Sequence, residues 1–523
     1  MNEINPIVLI ILDGFGIGRK SQGNPVTQTV TPTFDWFKQN FPHFGLQASG
    51  IAVGLPWGDP GSSEIGHLAI GTGRINYQNY PRITLAIRNG SFFDNSILFQ
   101  IKNHVSANSS TLHLVGLLSS AKTNAAIEHL NAILEFVKNN KIEKVLLHII
   151  CDGKETPPKE IVNLIKDLQE TLGEVRGIKI ASLSGRYYAM DSNEYWERTE
   201  KVFQMLTQGE KIKPDARTVL EETFSKNITE EFVEPCLIGT TEERESLVIK
   251  NNDAILFFNF REEGLKQLAE SFASPEFNAF PRTVPQNLYL ASLTEYEGNL
   301  PIKTIFNKQH IENSLTETIS QNNKRQLKLA ESAKDKLLTY HFNGMVNRQF
   351  ANELRIILPS NKIEKDFRMQ TEQLTTRLLS AMEEKIYDLI VINLANADWA
   401  GHQKDFEISR QVVSYLDSIL NRIATASLKL KTSLIITSDH GNIENMFDAI
   451  TGEPDMRHND NPVPFMIIDQ RFYRQKTERD ILEDEKSIRG SLPDIAPTIL
   501  EMMNIKKPEQ MTGQSLLKFC SSR

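Results

Sequence analysis

Short apolar runs recur along the chain, and stretches with helical spacing of apolar residues separate them. Apolar runs of about four to eight residues bounded by polar positions are typical of buried strands. The runs that predict strands are residues 7–12, 112–118, 145–150, 178–183, 254–260, 389–394 and 434–437. The amphipathic stretches that predict helices include residues 128–138, 372–385 and 406–428.

This alternation of strands and helices predicts an α/β fold. Chains of this kind form parallel sheets whose connecting helices cover both faces, so we expect a doubly wound architecture. Polar stretches near residues 78–95 and 300–325 interrupt the pattern and are predicted linkers. They would bracket a second α/β domain that is inserted between two halves of the first.

Composition and charge exclude several classes of protein. The 523 residues are 40% hydrophobic and 24% charged, which is globular usage. The net charge of −8 argues against non-specific nucleic-acid binding. The three cysteines match no zinc spacing, and we therefore expect a reduced, cytoplasmic protein without disulfides. Residues 7–12 are too short for a membrane span and lack the flanks of a signal peptide, so no membrane association is expected.

Acidic and imidazole side chains lie close to the ends of the predicted strands. They are Asp13, Asp398, His402, Asp439, His440 and His458. Ligand sites of open α/β sheets lie outside the carboxyl ends of the strands, so these side chains are expected to converge. Together they suffice for two metal ions and suit Mn²⁺ or Zn²⁺, whereas an all-oxygen set would suit Mg²⁺ or Ca²⁺.

Each of these residues taken singly has a structural alternative. An aspartate after a strand often closes a turn or caps a helix, and a single histidine is more often a surface or core residue than a ligand. Four acid–imidazole clusters at strand ends are difficult to explain in that way. The joint pattern therefore favours a metal centre.

The segment 61–67, Gly-Ser-Ser-Glu-Ile-Gly-His, is the second candidate for chemistry. A serine hydrolase would need G-x-S-x-G after a strand, but Gly66 comes one residue late and residues 55–60 do not resemble a strand. A serine at a helix N-terminus beside metals fits better and would form a phosphoserine. The residues alone leave Ser62 and Ser63 open, and either serine could simply cap the helix.

Several motifs together resemble the metal-dependent, cofactor-independent phosphoglycerate mutases of the alkaline-phosphatase superfamily. They are Asp13, S-E-I-G-H-L-A-I-G-T-G-R at 63–74, D-G-K-E-T-P-P at 152–158, S-G-R-Y-Y-A-M-D at 184–191, F-F-N-F-R at 257–261, N-x-D-x-x-G-H at 396–402, S-D-H-G-N at 438–442, H-x-x-N-P-V-P at 458–464 and P-D-I-A-P-T-I-L at 493–500. The resemblance covers nearly the whole chain in the same order.

The resemblance implies an alkaline-phosphatase-like metal domain made of residues 1–80 and 313–523, with an inserted phosphotransferase domain over 81–312. It assigns Ser63 as the nucleophile and Lys334 as a catalytic and substrate-binding lysine near the metals. Two divalent ions are implied, with Mn²⁺ expected and Zn²⁺ or Mg²⁺ as alternatives. One ion would be held by Asp398, His402 and His458, and the other by Asp13, Ser63, Asp439 and His440.

The departures from the family pattern fall in the inserted domain. Asn124 stands where the family has its catalytic histidine, and Lys154 and Glu155 stand where it has arginine and aspartate. Ser192 and Gly264 replace two arginines that clamp phosphate and carboxylate. The substrate-binding residues that the resemblance leaves are Asn124, Lys154, Glu155, Arg186, Arg261 and Lys334.

The resemblance implies an enzyme that moves a phosphoryl group between the 3- and 2-positions of phosphoglycerate through a phosphoserine. The alternative is a diverged relative that acts as phosphohydrolase or phosphotransferase on another phosphorylated or phosphonylated acid. A non-catalytic scaffold would be expected to lose metal ligands, whereas here the set is intact. We expect a monomer that binds a small phosphorylated acid and no nucleic acid.

Overall fold

The computed structural model describes residues 6–520 apart from 174–176, 297–299, 310, 361–365, 404, 448–451, 454 and 456. Within these residues the chain forms strands β1 (Ile7–Leu12), β2 (His43–Gln47), β3 (Leu112–Leu118), β4 (Val145–Cys151), β5 (Ile178–Gly185), β6 (Ile212–Lys213), β7 (Cys236–Ile238), β8 (Ala254–Phe257), β9 (Tyr289–Thr294), β10 (Lys303–Phe306), β11 (Gln326–Glu331), β12 (Glu353–Leu358), β13 (Leu389–Leu394), β14 (Ser433–Thr437), β15 (Val463–Ile468) and β16 (Ile488–Ser491).

The same residues form helices, most of which connect strands. They are α1 (Pro25–Gln28), α2 (Pro32–Asn40), α3 (Ser63–Thr72), α4 (Asn79–Arg88), α5 (Ser96–Asn108), α6 (Ile127–Asn139), α7 (Glu160–Gly173), α8 (Arg186–Ala189), α9 (Trp196–Thr207), α10 (Ala216–Ser225), α11 (Arg244–Leu247), α12 (Lys266–Ala273), α13 (Leu315–Gln321), α14 (Thr371–Glu384), α15 (Asn396–Gly401), α16 (Phe406–Leu430), α17 (Glu478–Lys486) and α18 (Ile495–Met502). A π-helical turn spans Leu337–His341. Across the described residues, no helix is long and apolar enough to cross a membrane.

One compact unit comprises Met1–Gln78 and His310–Arg523. Its sheet has the order β12-β11-β13-β1-β14-β15-β2-β16, in which β15 alone runs antiparallel to its neighbours. β1 is apolar throughout because both faces of the sheet are covered. Its side chains alternate between two cores, with Ile7, Leu9 and Ile11 in one and Val8, Ile10 and Leu12 in the other.

The sheet of this unit brings several chain segments to one edge. β1, β11, β13 and β14 are parallel, so their carboxyl ends lie side by side. β15 runs in the opposite direction, and its first residue, Val463, therefore lies at that same edge. Loops that follow four strands and one loop that precedes a strand meet there.

The second unit spans Asn79–Gln309 and has its own sheet, in the order β10-β9-β8-β3-β4-β5-β7-β6. The pairs are parallel except for β5 with β7. One hydrophobic core surrounds this sheet. The carboxyl ends of β3 and β4 lead into loops that start at Ser119 and Asp152, and β5 leads directly into α8, which starts at Arg186.

The α/β class predicted from the sequence is confirmed, and each predicted strand is present with bounds that shift by at most a few residues. Both sheets are mainly parallel, as expected, and the exceptions are β15 in one unit and the β6–β7 pair in the other, which run against their neighbours. The stretches near 78–95 and 300–325, which the sequence predicts as linkers, include regular secondary structure. They contain α4, β10 and α13, and the chain passes between units after Gln78 and after Gln309.

Candidate active site

Six predicted side chains converge at the shared edge of the first sheet. Asp13 directly follows β1, and the N–H of Asp398 in α15 donates to the carbonyl of Asp13 at 2.8 Å. Asp439 and His440 follow β14, His402 ends α15, and His458 lies in the loop before β15. The sheet topology therefore assembles the predicted set from loops that lie far apart in sequence.

Asp398 is the centre of the first group. Its Oδ1 lies 3.3 Å from His402 Nε2 and 3.5 Å from His458 Nε2. The two imidazole nitrogens are themselves 3.3 Å apart. Donor atoms of these three residues lie within 4.8 Å of one another, as a common metal ion requires.

Asp13 and His440 belong to a second group beside the first. His440 Nε2 lies 3.5 Å from Asp13 Oδ1, 3.7 Å from Asp439 Oδ2 and 3.8 Å from Asp398 Oδ1. The His440 ring also stacks on that of His458, with ring centroids 3.8 Å apart. The two groups are thus contiguous and share Asp398.

Ser63 lies against the second group as the first residue of α3. Its Oγ is 2.8 Å from His440 Nε2 and 3.5 Å from Asp13 Oδ1. Ser62 is the N-cap residue of the helix, but its side chain makes no capping hydrogen bond. The open N-terminal turn and the hydroxyl of Ser63 therefore face the carboxylate–imidazole cluster together.

Lys334 reaches the same cluster from the short helical turn after β11. Its Nζ lies 3.0 Å from Asp13 Oδ2 and 2.8 Å from Asp398 Oδ2. Burial opposes its charge, but the two carboxylates outweigh burial and raise the pKa of Lys334 above its ordinary value. The lysine is therefore a fixed positive charge between two carboxylates.

The protein's own groups keep the cluster ionised. Burial raises the pKa of a carboxyl group, but Lys334 outweighs this for Asp13 and lowers its pKa. For Asp398, hydrogen bonds from His402 and His458 likewise outweigh burial and lower the pKa. Burial disfavours protonated His440, yet Asp439 and Asp13 raise its pKa to about 9. Asp13 and Asp398 are therefore held as carboxylates, the form that binds a cation.

The donor set fits divalent cations. Asp439 Oδ2 is buried and accepts no hydrogen bond, although His67 Nδ1 lies 3.1 Å away. A buried carboxylate oxygen without a partner is costly unless a cation takes it. Imidazole nitrogens and carboxylate oxygens are donors typical of Mn²⁺ and Zn²⁺ sites.

His67 and Asn393 belong to the site but were not predicted. Asn393 Nδ2 donates to Asp13 Oδ2 at 2.9 Å and lies 3.1 Å from His67 Nε2. His67 Nδ1 lies 2.9 Å from the Ser63 carbonyl oxygen. The spacing of four residues from Ser63 on one helix was the available signal for His67. Asn393 gave none, because it lies inside an otherwise apolar strand.

The second unit contains a network of polar side chains at the ends of β3, β4 and β5. Arg186 donates to Asp152 Oδ1 at 2.6 Å and to Glu155 Oε1 at 3.3 Å. Asn124 Nδ2 donates to both oxygens of Glu155 at 3.1 Å, and Thr123 also donates to Glu155. Three of the predicted substrate-binding residues, Asn124, Glu155 and Arg186, are therefore directly connected.

Lys154 and Arg261 adjoin this network through their backbones. The N–H of Lys154 lies 3.3 Å from Asp152 Oδ1, and its side chain is exposed. The N–H of Arg261 donates to the Asn124 carbonyl at 3.2 Å, while its guanidinium pairs with Glu263 at 3.0 Å. The sixth predicted residue, Lys334, lies in the other unit.

Comparison with known protein families gives a separate match for each of the two units. Residues 83–298 match the family described as BPG-independent PGAM N-terminus, and residues 310–501 match type I phosphodiesterase / nucleotide pyrophosphatase. The 2,3-bisphosphoglycerate-independent phosphoglycerate mutase of Clostridium botulinum is 38% identical over 519 residues, which cover 98% of this chain and 99% of that protein. The chain belongs to this mutase family.

Further relatives extend the match to other groups of organisms. Mutase 1 of Methanosarcina acetivorans is 38% identical over 517 residues, with 98% of each chain covered. The mutase of Legionella pneumophila is 37% identical over 524 residues, with 99% of each chain covered. A solved structure of Leishmania mexicana phosphoglycerate mutase covers 98% of this chain and 97% of its own, with a TM-score of 0.58 and 24% identity, and it shows the same fold.

The two positions at which the family resemblance expects arginine, Ser192 and Gly264, have different surroundings. Ser192 is exposed. Gly264 is buried, and a Cβ at this position would overlap the terminal methyl of Met190. Methionine therefore fills the space beside one of the two positions at which the family resemblance expects arginine.

Proposed function

We propose that the protein transfers a phosphoryl group through Ser63, with a small phosphorylated acid as substrate. The family reaction, the interconversion of 3- and 2-phosphoglycerate, is the first candidate. The position of Ser63 Oγ supports the proposal best, since it lies 2.8 Å from His440 Nε2 and beside Asp13 at the first turn of α3. Divalent cations bound beside this hydroxyl would lower its pKa and so make it a nucleophile.

The donor groups favour two divalent ions, with Mn²⁺ as the first choice. Asp398, His402 and His458 would hold one ion, and Asp13, Ser63, Asp439 and His440 would hold the other. When bound, the ions supply positive charge that stabilises an alkoxide and the phosphoryl oxygens.

The remaining work falls to this chain's own residues. The open first turn of α3 offers backbone N–H groups and the positive end of a helix dipole to phosphate oxygens. Lys334 adds a fixed ammonium next to Asp13 and Asp398. His67 holds the Ser63 carbonyl and so orients the residue that carries the nucleophile.

A covalent trapping experiment tests this proposal. After incubation with Mn²⁺ and phosphoglycerate, peptide mass analysis should find phosphate on Ser63. Ser63→Ala should abolish the phosphopeptide and lower turnover by at least about a thousandfold, because the nucleophile is gone. Ser62→Ala is the matched control and should leave the phosphopeptide in place. Phosphate on Ser62, or normal turnover in Ser63→Ala, would contradict the proposal.

The hydrogen bonds of Asn124 favour a second candidate, a phosphohydrolase or phosphotransferase acting on another phosphorylated or phosphonylated acid. The Asn124 amide donates to Glu155 and has no group that titrates near neutral pH. A mutase needs a group that accepts and returns a proton while the substrate reorients. A screen of phosphate esters with Mn²⁺, run beside a mutase assay, distinguishes the two candidates.

A further inference from the structure

Glu444 lies seven residues after the end of β14, within the loop that carries Asp439 and His440, and is 2% exposed. Its carboxylate accepts hydrogen bonds from three separate loops. The N–H groups of Gly16 and Asn442 donate to Oε2 at 2.8 and 3.0 Å, and Asn461 Nδ2 donates to Oε1 at 3.0 Å. One buried side chain thus connects the loops after β1 and β14 with the loop before β15.

Each residue that donates a hydrogen bond to Glu444 stands three positions after a proposed metal ligand. The pairs are Asp13 with Gly16, Asp439 with Asn442, and His458 with Asn461. Two of these ligands belong to one proposed metal ion and the third belongs to the other. Glu444 therefore connects loops that serve both ions.

The carboxylate is tightly enclosed by glycine backbones. A Cβ on Gly16 or on Gly441 would overlap the carboxyl group of Glu444. The loops also bond to one another, since Ile17 N–H donates to the Pro462 carbonyl at 2.7 Å and Asn459 N–H donates to the Gly441 carbonyl at 3.2 Å. Small shifts of Glu444 would therefore move more than one ligand loop.

Glu444 does not belong to any candidate ligand group within the described part of the chain. Residues that orient metal ligands from outside the coordination sphere commonly change metal affinity when mutated. We propose that Glu444 is a positioning residue that sets the spacing of both metal sites through its hydrogen bonds. This inference rests on the proposed metal-dependent function.

The hydrogen-bond pattern predicts that the shape of Glu444 matters more than its charge. In Glu444→Gln, the amide oxygen still accepts from Gly16 and Asn442. The amide nitrogen then donates to Asn461 after that side-chain amide rotates by half a turn. Glu444→Ala removes all three contacts and leaves two backbone donors buried.

The test measures Mn²⁺ affinity of the full-length chain after chelator treatment, using electron paramagnetic resonance of free Mn²⁺. Glu444→Ala should weaken affinity by about 10–100-fold. Glu444→Gln should stay within about threefold of the wild type, because its hydrogen bonds are retained. Asn461→Ala removes only the hydrogen bond between Asn461 and Glu444 and should cause a smaller loss of Mn²⁺ affinity. It is the variant to measure if Glu444→Ala does not fold.

Asp417 supplies the matched control. It is 4% exposed in the same unit and accepts backbone N–H bonds from Thr33 at 3.2 Å and Phe34 at 3.0 Å, but it connects α16 to α2. Asp417→Ala should lower the melting temperature and leave Mn²⁺ affinity unchanged.

The outcomes separate this inference from the proposed function. A wild-type chain that binds no Mn²⁺ contradicts the proposed function itself. If the wild type binds Mn²⁺, then unchanged affinity in both Glu444→Ala and Asn461→Ala overturns the positioning role. Equal losses in the Gln and Ala variants, or in Asp417→Ala, overturn it as well.

Discussion

At the scale of single residues, the side chain at position 124 bears on the choice between the two proposed functions. Asn124 donates to both oxygens of Glu155, which also pairs with Arg186. The carboxylate of Glu155 therefore accepts hydrogen bonds from Asn124 and Arg186. Asn124, unlike a histidine, cannot accept and release a proton near neutral pH. The residue is suited to hold a neighbour or a substrate in place.

Asn124→His should raise phosphoglycerate mutase turnover, because it adds a group that titrates near neutral pH. Positioned acid–base groups contribute about 10²–10⁴-fold, and with other clamps missing we expect a gain of about tenfold. Asn124→Gln, which adds no such group, is the control and should give no gain. The measurement is coupled turnover of 3-phosphoglycerate with Mn²⁺. Equal rates in both variants would count against a lost proton shuttle.

Gly264→Arg should add a guanidinium that binds the anionic substrate, but only if the Met190 side chain moves aside. The terminal methyl of Met190 lies where the new Cβ must go, although this is the flexible end of a side chain. The single variant should lose about 1 kcal/mol of unfolding free energy, and Met190→Ala in the same chain should relieve this strain. Urea unfolding measures the stability of both variants. A lower KM for phosphoglycerate in the variant that combines Gly264→Arg with Met190→Ala would show that the new arginine binds the substrate.

At the scale of elements, the segment that carries Lys334 is anchored by a second, buried lysine. Lys328 in β11 donates to Thr316 Oγ1 and the Leu338 carbonyl, both at 2.9 Å, and it also pairs with Glu353 at 3.2 Å. Leu338 belongs to the π-helical turn just after Lys334. Such turns are frequent at functional sites, and here a buried cation holds one in place.

Burial lowers the pKa of Lys328 to about 8 from an ordinary value of 10.5, despite the opposing effect of Glu353. Between pH 8 and 10.5, the unfolded chain therefore binds more protons at this position than the folded chain. Stability from this group consequently rises with pH across that interval, by up to about 3 kcal/mol. In urea unfolding, the unfolding free energy of the wild type should therefore rise relative to that of Lys328→Met as the pH increases from 8 to 10.5. A pH-independent difference between them would contradict the shift.

At the scale of the whole molecule, metal binding should couple to stability without being required for folding. The six residues of β1 are buried in two apolar cores that do not depend on the loops at the sheet edge. Chelation should therefore abolish activity and leave a folded chain.

Mn²⁺ at about 100 times its Kd should add about 2.7 kcal/mol to the unfolding free energy. Asp439→Asn should remove both this gain and the activity, because Asp439 is a proposed ligand. Calorimetry with and without Mn²⁺ measures the gain. Full activity in chelated protein, or an undiminished gain in Asp439→Asn, would contradict the metal centre.

From the sequence alone we could predict the α/β class, seven of the strands and the acidic residues that follow three of them. Buried parallel strands consist of continuous apolar runs, so the pattern of apolar residues alone predicts β1, β3 and β13. Ligand sites lie at the carboxyl ends of such strands, so Asp13, Asp398 and Asp439 could be predicted as site residues.

The contacts of those residues could not be predicted from the sequence, because they depend on the folded chain. The direction of β15 depends on its pairing with β14 and β2, which no local pattern encodes, and that direction brings His458 to the site. Asn393 donates a hydrogen bond to Asp13 and Glu444 accepts one from Gly16, and in each pair the two residues are more than three hundred positions apart in sequence. Hydrogen bonds of this kind depend on the folded geometry, because a single polar residue in the chain does not specify its partner.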